Sequence, residues 1–311
     1  MDRITEQLLR EFATEYNLGG LPADEQFEHF VNLAIVTREY PESFNPSDVH
    51  VGKDSNPGID GLAVIVNGTL VEDTEEIDNL VATNKFLDAS FVFTQAKTSS
   101  SFNGGDIGSF IEAVRDFFRD EPKLVRGRDL ETKAALQEHI FKLSGKMRSN
   151  PTCSLYYVTT GTWNGDKNLQ ARLDQGKADL EQTQLFSNVV VAACGAADIQ
   201  KLYRQGRESV DVEIEFPNKV TLPSIPGVQQ AFIGIVPVSV IFQLIEDDAG
   251  NLRRSVFEDN IRDFQGDTGI NDRMRGTLID SERSQTFVVL NNGITIVCRV
   301  LQLTGNKCTI S

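Results

Sequence analysis

The chain has 311 residues, room for about two domains, and its 40% hydrophobic and 24% charged content excludes a disordered or fibrous polypeptide. A formal net charge of −15 and a pI near 4.7 argue against wholesale polyanion binding, and no apolar run approaches the ~18 residues that a membrane span needs. Four scattered cysteines, Cys153, Cys194, Cys298 and Cys308, lack metal-type pairing, and the start MDRITEQLLREF lacks the apolar centre of a signal peptide, so a reduced, cytoplasmic setting is expected.

Residues 2–16 place Ile4, Leu8, Phe12 and Tyr16 on one helical face, and Gly19-Gly20 breaks the pattern. Asp24 is the expected cap of a second helix, which turns Phe27, Phe30, Val31, Ala34 and Ile35 inward and ends before Pro41 and Pro46. The turn-rich SNPGIDG leads into the strand LAVIV (62–66), Asn67-Gly68 gives a hairpin turn, and Thr69 to Val71 returns. EDTEEIDN reads as loop or short helix. FVFTQAKTSS then starts as an apolar strand and ends with Gln95 and Lys97 on one face. After TSSSFNGG, Asp106 is expected to cap a helix with Ile107, Phe110, Ile111, Val114 and Phe117 on its apolar face. A helix over about 127–147, the strand SLYYVTTG, a polar helix over 168–185, the strand SNVVVAACG and the helix AADIQKLYRQ complete an alternation. Such alternation predicts a mixed α/β sheet covered on both sides.

The character changes near 216. FPNKVTLPSIPGVQQ holds three prolines and reads as a linker or edge crossover. AFIGIVPVSVIFQLI is strand-rich or a buried helix, Asn271 is expected to cap a short helix, and FVVLNNGITIV is a hairpin by pattern. The terminal CTIS reads as an unfinished element, and the expectation is a truncated chain. The predicted division is a domain over 1–216, with 1–20 as a helical extension, and a mixed α+β region over 217–311.

Charge is uneven. Residues 1–97 hold 6 Lys/Arg and 18 Asp/Glu, whereas 122–148 hold 7 basic and 3 acidic residues. That second segment is either a solvated helix face or a basic surface that contacts nucleic acid through Lys123, Arg126, Arg128, Lys142, Lys146 and Arg148. His29, His50 and His139 are far apart in sequence and lack metal-ligand spacing. No GxxxxGK[ST] loop is present, and GTWNG lacks a nucleophile-elbow serine, so neither ATP hydrolysis nor serine acyl transfer is indicated.

Asp60 begins a strand in the turn GIDG, and Gln95 follows 35 residues later. If the two strands are neighbours, Gln95 and Lys97 face Asp60. Asp60 would then hold a divalent cation, most simply Mg²⁺, through a hard oxygen, with the Gln95 side-chain oxygen and the Ala96 carbonyl as further ligands. Lys97 would orient or deprotonate a water and offset phosphate charge, and the metal would polarise the phosphodiester. The alternative is ordinary: a turn-capping aspartate and a solvated strand end.

GIDG followed by a strand ending in QAK resembles the PD-(D/E)XK nuclease superfamily in its Mrr-like restriction-enzyme branch. The resemblance covers roughly residues 20–200. It implies a restriction-endonuclease-like mixed sheet flanked by helices, Mg²⁺ or Mn²⁺ as cofactor, and Asp60, Gln95 and Lys97 at the site. Phe27-Glu28 in the preceding helix also resembles that branch, and Glu28 is the carboxylate that would make good the one missing at Gln95.

The later segment resembles the AIPR (abortive infection phage resistance) family through Phe257-Glu258, Asn260, Arg262, Asn271, Thr277-Leu278 and the run from Leu290 to Thr295. Asn260, Arg262, Asn291 and Asn292 would there read a phosphate or a base; a helix ion pair and a tight turn explain the same residues without a ligand. Together the two resemblances imply a metal-dependent nuclease of prokaryotic phage defence, acting on nucleic acid with DNA ahead of RNA. A phage-encoded trigger and a second copy of the chain are further partners it admits, and no membrane is implied. The competing readings are a nuclease-like module that binds nucleic acid or a phage protein without cutting, and a purely structural protein.

Overall fold

A computed structural model describes residues 1–40, 43–52, 58–205, 212–223, 229–246, 269–280 and 301–310, with 293, 294, 296 and 298. The architecture is mixed α/β, with a central mixed sheet flanked by helices. Two compact units are present: the first contains Met1–Arg204, and the second begins at Gln205. Among the described residues no helix is long and apolar enough to cross a membrane.

The first unit opens with helices α1 (Arg3–Glu15) and α2 (Ala23–Glu39). The Asp2 carboxylate caps α1 by accepting from the Ile4 and Thr5 amides. The buried stripe of α1 is Thr5, Leu9, Phe12 and Ala13, one position round from the expected face, and Ile4 is 53% exposed. Helix α2 buries Phe27, Phe30, Val31, Ala34 and Ile35 as its periodicity predicts. Its cap position is Pro22; Asp24 lies in the first turn instead, where a carboxylate suits the positive end of the helix dipole.

Strand β1 (Gly61–Val66) is buried along its whole length and turns into β2 (Thr69–Leu70). Asn67 and Gly68 adopt φ of 52° and 86°, both positive, as a type I′ turn requires. The acidic stretch after β2 forms α3 (Thr74–Asn84), capped by Asp73. Strand β3 (Ala89–Lys97) follows, then α4 (Gly104–Phe117), whose cap is the Asn103 side chain rather than Asp106. Helix α5 (Arg128–Lys142), strand β4 (Thr152–Thr159), helix α6 (Lys167–Glu181), strand β5 (Asn188–Cys194) and helix α7 (Ala196–Gln205) complete the series.

The sheet order is β2-β1-β3-β4-β5. β1 runs antiparallel to β3, while β3, β4 and β5 are parallel and joined by helical crossovers. Alternation along β3 sends Phe91 and Phe93 to one face, with Leu62, Val64, Ile107, Phe110, Val114 and Phe117. It sends Val92 and Ala96 to the other face, with Phe12, Phe27, Phe30, Ile35 and Tyr156. Coverage on both faces explains why these strands read as continuous apolar runs rather than as alternating ones.

In the second unit β6 (Val212–Glu215) pairs with β10 (Lys307–Ile310), which also pairs with β9 (Leu301–Thr304). Strand β10 is thus the middle strand of a three-stranded sheet, with Cys308 and Ile310 buried. The proline-rich stretch expected as linker contains β7 (Lys219–Thr221), paired with β8 (Phe232–Gly234). Helix α8 (Val238–Ile245) belongs to the same unit, and helix α9 (Gly269–Ile279) follows it in the chain, its residues up to Arg273 grouping with the first unit.

Candidate active site

The ladder between β1 and β3 ends at the pair Gly61 and Thr94. One step beyond, the Asp60 carboxylate takes the place of a ladder acceptor: its Oδ2 accepts from the Ala96 amide at 2.8 Å. Asp60 is 8% exposed. Its own amide donates to the Thr94 carbonyl at 2.9 Å, and its carbonyl accepts from Val51 at 3.1 Å. The segment around His50 thus lies along the start of β1, on the side away from β3, with His50 bridged to Gly61.

Asp60 and Gln95 stand opposite one another when the register is continued by one residue, and Lys97 shares the face of Gln95. Gln95 is 3% exposed, and its Oε1 is buried without a hydrogen-bond partner. Its Nε2 lies 2.7 Å from where a Cβ on residue 58 would stand, so glycine at 58, with φ +95°, gives the amide its space. Ala96 is buried, and Lys97, at the strand's end, is partly exposed.

Burial first, and then the negative charge of Glu28, push the Asp60 carboxyl up from its ordinary value near 3.8 to about 6. The Ala96 amide, Lys97 and His50 oppose that rise. Asp60, Glu28, Lys97 and His50 therefore share one electrostatic neighbourhood. Glu28 reaches it from α2, and its Oε2 lies 2.8 Å from His50 Nε2. Tyr157 adds a wall: it is in register with Gln95 on β4, and its hydroxyl is raised to about 12 by burial first and then by Asp106.

Behind the carboxylate a buried polar pair fixes the backbone. Asn32 Nδ2 donates to the Asp60 carbonyl at 3.4 Å, and Thr94 Oγ1 donates to Asn32 Oδ1 at 2.5 Å. A Cβ on residue 61 would stand 2.1 Å from Asn32 Oδ1 and 2.5 Å from Thr94 Oγ1. Gly61→Ala is thus expected to destabilise the protein by about 2 kcal/mol through overpacking of a closed site, read as a lower urea midpoint at unchanged slope.

The basic residues do not join this cluster. Leu87, just before β3, is bridged to Met147, and the Arg148 amide bonds back to the Leu87 carbonyl. Lys146 and Arg148 therefore flank the start of β3, roughly 30 Å of strand away from Lys97 at its end. Lys142, at the end of α5, is exposed near Glu138. Arg148 is ion-paired with Asp88 and stacks over Phe86. Arg126 donates to the carbonyls of Asp116 and Phe117 at the end of α4. Lys123 and Arg128 are exposed. Arg262, Asn291 and Asn292 lie outside the described residues.

Sequence spacing missed His50 and His29. Their rings stack with centroids 4.1 Å apart, although 21 residues separate them. It also missed Tyr157, whose only mark in the sequence is its place in a buried strand.

Residues 257–311 match the model of the AIPR protein family, under a fifth of the chain. No curated protein and no solved structure matches the chain.

Proposed function

We propose that the first unit is a Mg²⁺-dependent nuclease of the PD-(D/E)XK kind, coupled to an AIPR region in prokaryotic anti-phage defence. The observation that carries this reading is the meeting of Asp60 with the end of β3. Its carboxylate is bonded to the Ala96 amide, beside a Gln95 oxygen that is buried and accepts no hydrogen bond. Buried side-chain oxygens in folded proteins are nearly always satisfied, and a hard cation is one partner that satisfies them. The residues present therefore fit Mg²⁺ or Mn²⁺, held by Asp60, Gln95 Oε1 and the Ala96 carbonyl, with Glu28 alongside. A cation bound there would polarise the phosphodiester and stabilise the leaving oxygen.

The chain's own groups supply the rest. Lys97 offsets phosphate charge and positions the attacking water. Asp60 works as the anion, so its elevated pKa makes the site fully competent only above about pH 6. Gln95 contributes a neutral oxygen. The AIPR match over 257–311 supports the defence context.

One observation favours a second reading. Glu28, the carboxylate that would compensate for Gln95, lies against His50. With that group engaged, the unit would bind nucleic acid or a phage protein without cutting it. Labelled DNA and RNA, single- and double-stranded, incubated with the purified chain and Mg²⁺, Mn²⁺ or chelator, separate the two. Metal-dependent cleavage is the expected result. Salt-sensitive binding with no turnover in either metal would overturn the nuclease and leave the binding module.

A further inference from the structure

Glu25, His29 and His50 stand beside the Asp60 cluster and have a chemistry of their own. Glu25 and His29 are four apart on α2, so both rise from one helix face. His50 arrives from the segment lying along β1, and its ring stacks on that of His29. One ligand atom from each of the three lies within 4.8 Å of the others. The two histidines are 2% and 7% exposed. Glu25 Oε1 is buried and has no hydrogen-bond partner, which a purely structural network would not leave behind.

We propose that Glu25, His29 and His50 form a binding site for a borderline transition-metal ion of the Zn²⁺ class, separate from the hard-cation site at Asp60. Two imidazoles and one carboxylate are ligands that such ions prefer, whereas Mg²⁺ takes oxygen and keeps its waters. Three protein ligands leave a fourth position for water. A carboxylate on a metal-binding histidine fixes its tautomer and ring orientation, and Glu28 stands in that relation to His50. Glu28 also faces Asp60 electrostatically. The site itself does not depend on the nuclease reading.

The test uses the tag-free full chain, stripped with chelator and titrated with Zn²⁺ by calorimetry. Co²⁺ serves as a spectroscopic substitute that reports nitrogen ligation. One Zn²⁺ per chain is expected, undisturbed by millimolar Mg²⁺. Glu25→Gln, at a partly exposed position, should weaken binding by about 10- to 100-fold with an unchanged circular dichroism spectrum. His29→Gln should abolish the Co²⁺ bands. Asp60→Asn should bind Zn²⁺ as wild type does, so a failed cleavage assay leaves this result standing. Equal Zn²⁺ affinity in wild type and Glu25→Gln would overturn the proposal. So would loss of binding in Asp60→Asn with retention in Glu25→Gln, which would place the ion at the other site.

Discussion

Lys97→Ala is expected to lower the single-turnover rate of Mg²⁺-dependent cleavage by about 10²- to 10⁴-fold while leaving nucleic-acid affinity within a few-fold of wild type. Lys97 ends β3 on the same face as Gln95, partly exposed, and its charge is felt by the Asp60 carboxyl. In the proposed nuclease, a side-chain cation beside the buried Asp60 would meet the phosphate and the attacking water. Its loss should therefore fall on the chemical step rather than on binding. Lys97→Arg should rescue little, because a guanidinium is planar, larger and never gives up its proton. The variant also has a pH signature. Lys97 holds the Asp60 pKa down, so without it the carboxyl titrates higher, and any residual activity should begin at a higher pH than in wild type. Equal rates in wild type and Lys97→Ala would remove Lys97 from the chemistry.

Much of the first unit was readable because local rules and the global fold agree there. Asn67-Gly68 is a turn that tolerates positive φ at both positions, and both adopt it. The face of β3 was legible because a strand alternates strictly, so QAK sends Gln and Lys to one side wherever the strand pairs. Caps were less legible. Asn103 and Asp106 both precede the same apolar run, and only the path of the loop decides which side chain meets the free amides. Contacts distant along the chain were not legible at all. His29 meets His50 only because residues around His50 lie along β1, and no periodicity records that. The pairing of 307–310 with β6 was not legible either, because the partner lies some ninety residues earlier. The basic stretch 122–148 looked like one surface, yet Arg126 is spent on the end of α4 and Arg148 on Asp88, while the end of β3 lies elsewhere.

Asp60→Asn is expected to abolish cleavage and, in chelator, to make the protein more stable by about 2 kcal/mol at pH 7.5, roughly 5 °C in Tm. The folded carboxyl titrates near 6, against an ordinary value of 3.8, because burial and then Glu28 oppose its charge. Between those two pH values the folded chain holds a proton that the unfolded chain has released. Stability contributed by this group therefore falls as pH rises through the window, and the whole penalty is present above about pH 6. Asparagine carries no charge, yet it keeps an oxygen for the Ala96 amide. Its advantage should shrink as pH falls below 6 and vanish near 3.8, where aspartic acid is itself neutral. Urea unfolding at pH 4, 5, 6 and 7.5 reads the effect directly. A gain independent of pH would mean that packing, not charge, is the cause; a loss at pH 7.5 would mean that the ionised carboxylate is already compensated within the protein. Adding millimolar Mg²⁺ then connects stability to function. A cation that neutralises Asp60 stabilises the folded state by mass action, so wild type should recover part of the difference while Asp60→Asn stays where it was. On the proposed reading, the cost of ionising the buried Asp60, beside a glutamine oxygen without a partner, is offset when a cation binds, and the Mg²⁺-dependent recovery is the measurement that decides it.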